Sequence, residues 1–347
     1  MTSQTRYAVF GGTALLGAGL AVGLAAYFVG MPAVGALSGA PAELAYVPAE
    51  ASLVAFADVR EFMGSDLHQQ LRELTPGPAA AEARGRQWFQ DTTGIDVERD
   101  VEYVLAYLPA GVEKGRHDQG LVLVRGRFDQ PRVEQLLERH GAVAETYRGK
   151  RLMVRRFEEP GVPAPDAGAP VPPGAPRPEM AVGFIQAGLV AVGTRAALVQ
   201  AIDLESGAGV DITRNDAVMA LVRESDDSHA WAVGRFDTLL ADAHVPVEVA
   251  SRLPPVTYFA ASGTIDAGLS GRVRMEARDA EAARQLNEVV RGFVALAKMQ
   301  SGSNPEVGAF LQSIQLRSEE TTVELSFAVP ADAVRSLLSR AHGELVP

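Results

Sequence analysis

The segment Ser225-Asp-Asp-Ser-His229 gathers two carboxylates, two hydroxyls and an imidazole within five residues, the groups from which acid/base or metal chemistry is built. Ahead of a β-rich run, though, Asp and Ser are ordinary turn formers that bond their own backbone, and the segment is read as a turn. A hydrolase with an unrecognised site would require His229, Asp226 and Asp227 to meet a serine at hydrogen-bond distance. The six histidines, His68, His117, His140, His229, His244 and His342, are scattered. None belongs to a His-Glu-x-x-His helix that would put two zinc ligands on one face. No Gly-x-Ser-x-Gly turn is present to expose a nucleophilic serine. No catalytic residue, metal or cofactor is expected.

Arginines form the one pattern that points to a ligand. In Gly271 to Arg278, Arg272, Arg274 and Arg278 alternate with Val273, Met275 and Ala277, so on a strand they share one face with Glu276. Arg125 and Arg127 share a face in the corresponding strand of the first half, and Arg151 and Arg155 do so in the next. A cationic strip of this kind can take lipid phosphates or an anionic envelope polymer by charge-assisted bonds. The competing reading is a solvated face whose alternating charges discourage edge pairing.

The elements that must hold these residues follow from periodicity. Strands are expected at 52–57, 101–108, 120–128 and 150–157, the last pairing with 180–192, and again at 229–235, 256–262, 269–277, 314–316 and 322–329. Asp58, Asp129 and Thr194 are placed to cap helices, with Pro131 in a first turn and Gly141 as a stop. Helices are also expected over 79–90, through Leu239 and Leu240, over 279–300 and over 330–342. Each half then runs strand, helix, hairpin, helix, hairpin, helix, with Val101-Glu-Tyr103 standing where Val256-Thr-Tyr258 does. The expected fold class is α+β: antiparallel sheets with helices packed on one face, built as a duplicated unit, 45–225 and 226–347. Residues 160–178 hold eight prolines and are expected to be an extended loop.

Residues Tyr7 to Ala42 contain no ionisable acid or base other than tyrosine, and Ala8 to Met31 has only Thr13 and Tyr27 as polar side chains. As a helix, 8–31 would be about 36 Å long, enough to cross a hydrocarbon core of about 30 Å. A single-pass N-terminal transmembrane anchor is therefore expected, after a short cytoplasmic tail at 1–7 and before a linker at 32–44. A cleaved signal ending near Val34-Gly35-Ala36 is the alternative. Arg6 before the stretch and Glu43 after it favour a cytoplasmic N-terminus and an extracytoplasmic, periplasmic main domain. Gly19 and Gly23 form a GxxxG that can support a weak homodimer. Gly11, Gly12 and Gly17 mimic a dinucleotide loop, but the middle glycine and the ribose-binding acid are missing.

The chain has 347 residues, no cysteine, and 43 acidic against 32 basic residues for a net charge of −11. This excludes a disulfide scaffold and a cysteine nucleophile, and argues against nucleic acid as a partner, since such binding draws on Lys and Arg to neutralise phosphates.

In order along the chain, Tyr46-Val-Pro-Ala-Glu-Ala-Ser-Leu-Val-Ala-Phe-Ala-Asp-Val-Arg60, Thr93-Gly-Ile-Asp-Val-Glu-Arg-Asp100, Tyr147-Arg-Gly-Lys150, Gly188-Leu-Val-Ala-Val-Gly193 and Ala197-Leu-Val-Gln-Ala-Ile202 resemble an uncharacterised bacterial envelope family. That family opens with a Val-Pro-Ala-Asp-type segment and has no assigned activity. Here positions 49–50 read Ala-Glu. The resemblance spans about residues 45–240 and implies an anchored or secreted envelope protein, with no site residues to carry over. The expected function is a non-enzymatic, membrane-anchored binding or scaffold protein. A carrier of an apolar ligand such as a lipid, held between sheet and helices, is the alternative.

Overall fold

Twelve strands follow one another as β1 Leu53–Asp58, β2 Val101–Leu108, β3 Leu121–Gly126, β4 Val143–Tyr147, β5 Lys150–Arg156, β6 Glu179–Gln186, β7 Leu189–Thr194, β8 Ala230–Arg235, β9 Val256–Ile265, β10 Gly268–Ala277, β11 Gln315–Glu319 and β12 Thr322–Pro330. They belong to a computed structural model that describes residues 41–66, 87–110, 120–156, 179–236, 254–265, 268–300 and 305–331. All twelve lie in one antiparallel sheet, in the order β11-β12-β10-β9-β8-β1-β2-β3-β7-β6-β5-β4.

The centre of the sheet joins the two halves. β1 pairs with β8 so that Ala55 faces Ala232, and the registers then run outward in parallel fashion on both sides. Ala55 faces Ala106 and Ala232 faces Ala261; Ala106 faces Val122 and Ala261 faces Val273. One strand further out, Val122 faces Val192 and Val273 faces Leu325. In this frame Tyr103 and Tyr258 hold equivalent places, three residues before Ala106 and Ala261. The register slips at matching points as well, Val101 meeting Gly126 and Val256 meeting Ala277. The first half carries an additional hairpin, β4 and β5, beyond β6.

Helices are fixed by local caps and cover both faces. α1 Val59–Gly64 starts at Asp58, whose carboxylate accepts from the Arg60 and Glu61 amides at 3.0 and 3.3 Å; α2 spans Val97–Asp100. α3 Gln130–Arg139 is capped by Asp129 and followed by Gly141 at φ +87°, where a side chain would be strained. α4 Arg195–Glu205 and α5 Asp216–Ser225 are capped by Thr194 and Asn215, and α6 Ala280–Gln300 and α7 Pro305–Ser313 follow β10. On what we term the upper face, Val54, Phe56, Tyr103, Leu105, Leu123, Trp231 and Val233 pack under the 3-10 helix Ala42–Tyr46, α4 and α5. On the lower face, Val104, Val122 and Val124 pack with Val59 and Met63 of α1. There too Phe259, Ala261, Val273 and Met275 pack with Ala283, Leu286 and Val290 of α6.

The expected fold class is corrected on three counts. The two units share one sheet, fused through β1 and β8, where the expected fold class has antiparallel sheets in the plural. Helices cover both faces because β2 and β3 are apolar on both, with Leu105 and Leu123 up and Val104 and Val122 down. No helix among the described residues is long and apolar enough to cross a membrane, so the transmembrane helix and the membrane and signal-anchor assignments are withdrawn from the description of this fold. The stretch 8–31 that suggested them, with Gly19 and Gly23, lies outside the described residues, as do the proline-rich 160–178 and most of the expected helices at 79–90 and 330–342. The expected single strand at 180–192 is two, β6 and β7, turning at Ala187 and Gly188, where Gly188 has φ +71°.

Candidate functional site

Glu43 sits in the first turn of the 3-10 helix and is 1% exposed. A carboxylate removed from water needs charge and hydrogen-bond partners, and the sheet supplies them from one cross-strand pair. Tyr103 on β2 faces Arg125 on β3, and both point to the upper face. The Tyr103 hydroxyl donates to Glu43 Oε2 at 2.6 Å, and Arg125 Nε donates to Oε1 at 3.0 Å with Nη2 closing a second bond to the same oxygen. Arg125 Nη1 donates to the Ala187 carbonyl at 3.1 Å, tying the turn between β6 and β7 to the same centre. Burial and the hydrogen bond to Glu43 push the Tyr103 phenol up to about 12. Burial works against the Arg125 charge, but its bonds to Glu43 outweigh this and hold its pKa above the usual value.

A second polar cluster lies at the C-terminal end of α4. Glu205 receives Lys150 Nζ at 3.0 Å, the Tyr46 hydroxyl at 3.1 Å and the Gln186 amide at 3.4 Å. Burial opposes ionisation of Glu205, yet these donors bring its pKa below the ordinary value, while burial and Glu205 push Tyr46 up. Asp203, two residues earlier, accepts from the Tyr147 hydroxyl at 2.9 Å and pairs with Arg148 Nε at 2.6 Å. Acidic groups at a helix C-terminus oppose the helix dipole; the cations of the β4-β5 turn offset that here.

The seven sequence-selected arginines do not share a surface. Arg125 is buried against Glu43. Arg127, just past β3, donates to the Arg99 carbonyl at 2.6 Å and lies 3.7 Å from Asp100. Arg151 and the exposed Arg155 are on the lower face, Arg151 meeting Glu134 and Glu138 at 2.9 Å each. Arg272 and Arg274 do stand together on the upper face of β10, but one lies 3.9 Å from Glu324 and the other 2.5 Å from Glu224. Arg278 is beyond the strand end, 3.3 Å from Asp279. Alternation along each strand predicts the local faces, but the folded sheet distributes them over both sides.

In the Ser225 to His229 segment, several bonds run to the backbone. Ser225 Oγ is buried and donates to the Leu221 carbonyl at 2.9 Å, and the Ser228 amide donates to the Ser225 carbonyl at 3.0 Å. His229 Nδ1 accepts from the Ile265 amide at 3.1 Å. Among the described residues no group of three or more His, Asp and Glu side chains could hold a metal ion.

Glu43, a buried carboxylate held by Tyr103 and Arg125, is not marked as a site residue by any sequence pattern. Its signal was available: it is the acid that ends the long uncharged run. Asp58 is equally inconspicuous in sequence, and burial pushes its carboxyl up to about 6 against the bonds from the Arg60 and Glu61 amides. Among the described residues the buried Tyr107 hydroxyl has no hydrogen-bond partner, and burial raises its pKa as well.

No family model matches the chain, and no curated protein matches it. Among solved structures, crystal form III of TP0453 aligns with 87% of this chain and 99% of that chain at 10% identity and a TM-score of 0.46. Nothing about function follows from a likeness of that size.

Proposed function

We propose that this is a non-enzymatic binding or scaffold protein whose sheet serves as a stiff platform. The supporting observation is the Glu43, Tyr103 and Arg125 triad: both carboxylate oxygens accept hydrogen bonds from side chains of the sheet. A carboxylate buried and held in this way is an anchor of the fold. It locks the chain's entry into the sheet. The extracytoplasmic setting belongs to the same proposal and rests on the sequence alone. The carrier alternative is less favoured, because the space beneath the upper-face helices is filled by the chain's own side chains, with Phe56 5.5 Å from Tyr103 and stacked 5.6 Å from Trp231.

Crosslinking of the full chain in its native cells, followed by mass spectrometry, tests the proposal. A reproducible macromolecular partner crosslinked through the sheet supports it. Recovery of a stoichiometric lipid in an organic extract, or a hydrolytic activity abolished by His229→Ala, overturns it.

A further inference from the structure

Among the described residues β11 is the last strand of the sheet, and its outer edge has a defined hydrogen-bonding phase. The Ala277 amide donates to the Thr321 carbonyl at 2.9 Å, which directs the backbone groups of Val323 and Leu325 toward β10 and those of Thr322, Glu324 and Ser326 toward β11. Their partners on β11 are Glu319, Arg317 and Gln315, so these three spend their amides and carbonyls inward. By alternation, Leu316 and Ser318 present theirs outward. Arg317, Ser318 and Glu319 are all exposed. Among the described residues neither Arg317 nor Glu319 makes a side-chain hydrogen bond or ion pair, whereas Arg125, Arg127, Arg151, Arg272, Arg274 and Arg278 each lie within 4 Å of a carboxylate.

We propose that β11 is a self-association edge, pairing antiparallel with β11 of a second copy about a twofold centred on Ser318. Outward groups pair only with outward groups, so the axis can pass through Leu316, Arg317 or Ser318. Centring on Arg317 sets the two Arg317 guanidinium groups directly opposite each other, a repulsive arrangement. Centring on Leu316 pairs Arg317 with Gln315 and runs Glu319 into Ser313, where α7 ends. Centring on Ser318 makes the two Ser318 residues a hydrogen-bonded pair. It also places Arg317 of each copy opposite Glu319 of the other in the adjacent non-hydrogen-bonded pairs, where side chains approach most closely. The free backbone groups and the two unpaired charges thus select the same register. The interface is isologous and closes as a dimer.

The test is sedimentation of the full chain in a non-ionic detergent, with circular dichroism confirming each variant's fold. The wild-type chain should show a monomer-dimer equilibrium. Arg317→Glu and Glu319→Arg should each weaken it by about tenfold, and the double exchange Arg317→Glu/Glu319→Arg should restore it. Ser318→Pro, which removes an outward amide at an edge that tolerates proline, should abolish it. A monomeric wild-type chain, open-ended assembly, association unaffected by these variants, or association lost instead on Gly19→Leu/Gly23→Leu would each overturn the proposal.

Discussion

Gly126 and Ala277 occupy the same place in the two halves of the sheet, each at the register slip where the outer strand of a hairpin meets the start of its partner, Val101 or Val256. Only the first of the two is confined to glycine. A Cβ on Gly126 would overlap the Asp100 carbonyl oxygen and approach the Phe128 ring at 2.9 Å, whereas one on Gly263 would meet only the Ser270 carbonyl oxygen at 3.5 Å. Gly126→Ala should therefore destabilise the chain by about 2 kcal/mol or more. Gly263→Ala should stay within about 0.5 kcal/mol of the natural sequence, both read by urea unfolding.

Breaking the Glu43 triad from one side should cost more than removing it altogether. Arg125→Ala leaves a carboxylate buried without its cation and is expected to destabilise by about 3–5 kcal/mol, while Tyr103→Phe removes one hydrogen bond for about 1–2 kcal/mol. Adding Glu43→Leu to Arg125→Ala should recover part of the loss. A double variant less stable than Arg125→Ala would contradict the pairing.

Asp58 gives the stability curve a slope in mild acid. Its carboxyl titrates near 6 in the fold against 3.8 as the ordinary value, so the folded state holds the proton more tightly than the unfolded chain. Its contribution is complete below about pH 4 and is lost as the pH rises through 6. Asp58→Asn keeps an oxygen to accept from the Arg60 and Glu61 amides and has no charge to bury. At pH 8 it should raise stability by about 1–2 kcal/mol, and at pH 4 it should be near neutral. Thermal melts at the two pH values read the difference.

The two tryptophans should report separately. Trp88 is 67% exposed and Trp231 is 1% exposed against Phe56. Iodide should quench only part of the native emission, and Trp88→Phe should remove that part and leave a blue-shifted, iodide-resistant band. Trp231→Phe should do the reverse, with a stability loss of about 1–3 kcal/mol from the altered packing.

Where the chain repeats a local rule, the sequence was readable. Asp58, Asp129 and Thr194 cap helices because an oxygen sits two or three residues ahead of free amides, a relation contained in a few consecutive letters. The pairing of Tyr103 with Tyr258 across halves was visible for the same reason. Misreadings arise where partners are distant. Met180 to Val192 looks like one strand because Gln186, Ala187 and Gly188 interrupt it so briefly, and β4 leaves little signal because Val143-Ala-Glu-Thr-Tyr147 is short and largely exposed. The arginine strips rest on alternation, which tells which residues share a face of one strand. It says nothing of Glu43, 82 positions from Arg125, or Glu224, 50 from Arg274. The helices' division between two faces was hidden likewise, since β2 and β3 are apolar on both sides and periodicity marks only a contrast.

Pairing of Leu53 with Gly234 also sets an order of events on the ribosome. β1 emerges early, pairs with β2, and then waits with its other edge open until β8, which begins 177 residues after β1 does, has been synthesised. During that interval an almost wholly apolar strand, Val54, Ala55 and Phe56 among its residues, is the edge of an incomplete sheet and a template for a neighbouring nascent chain. The central seam, which in the finished molecule is its most protected line, is during synthesis its most exposed one. A chain cut short between β3 and β8 would therefore carry that edge uncovered.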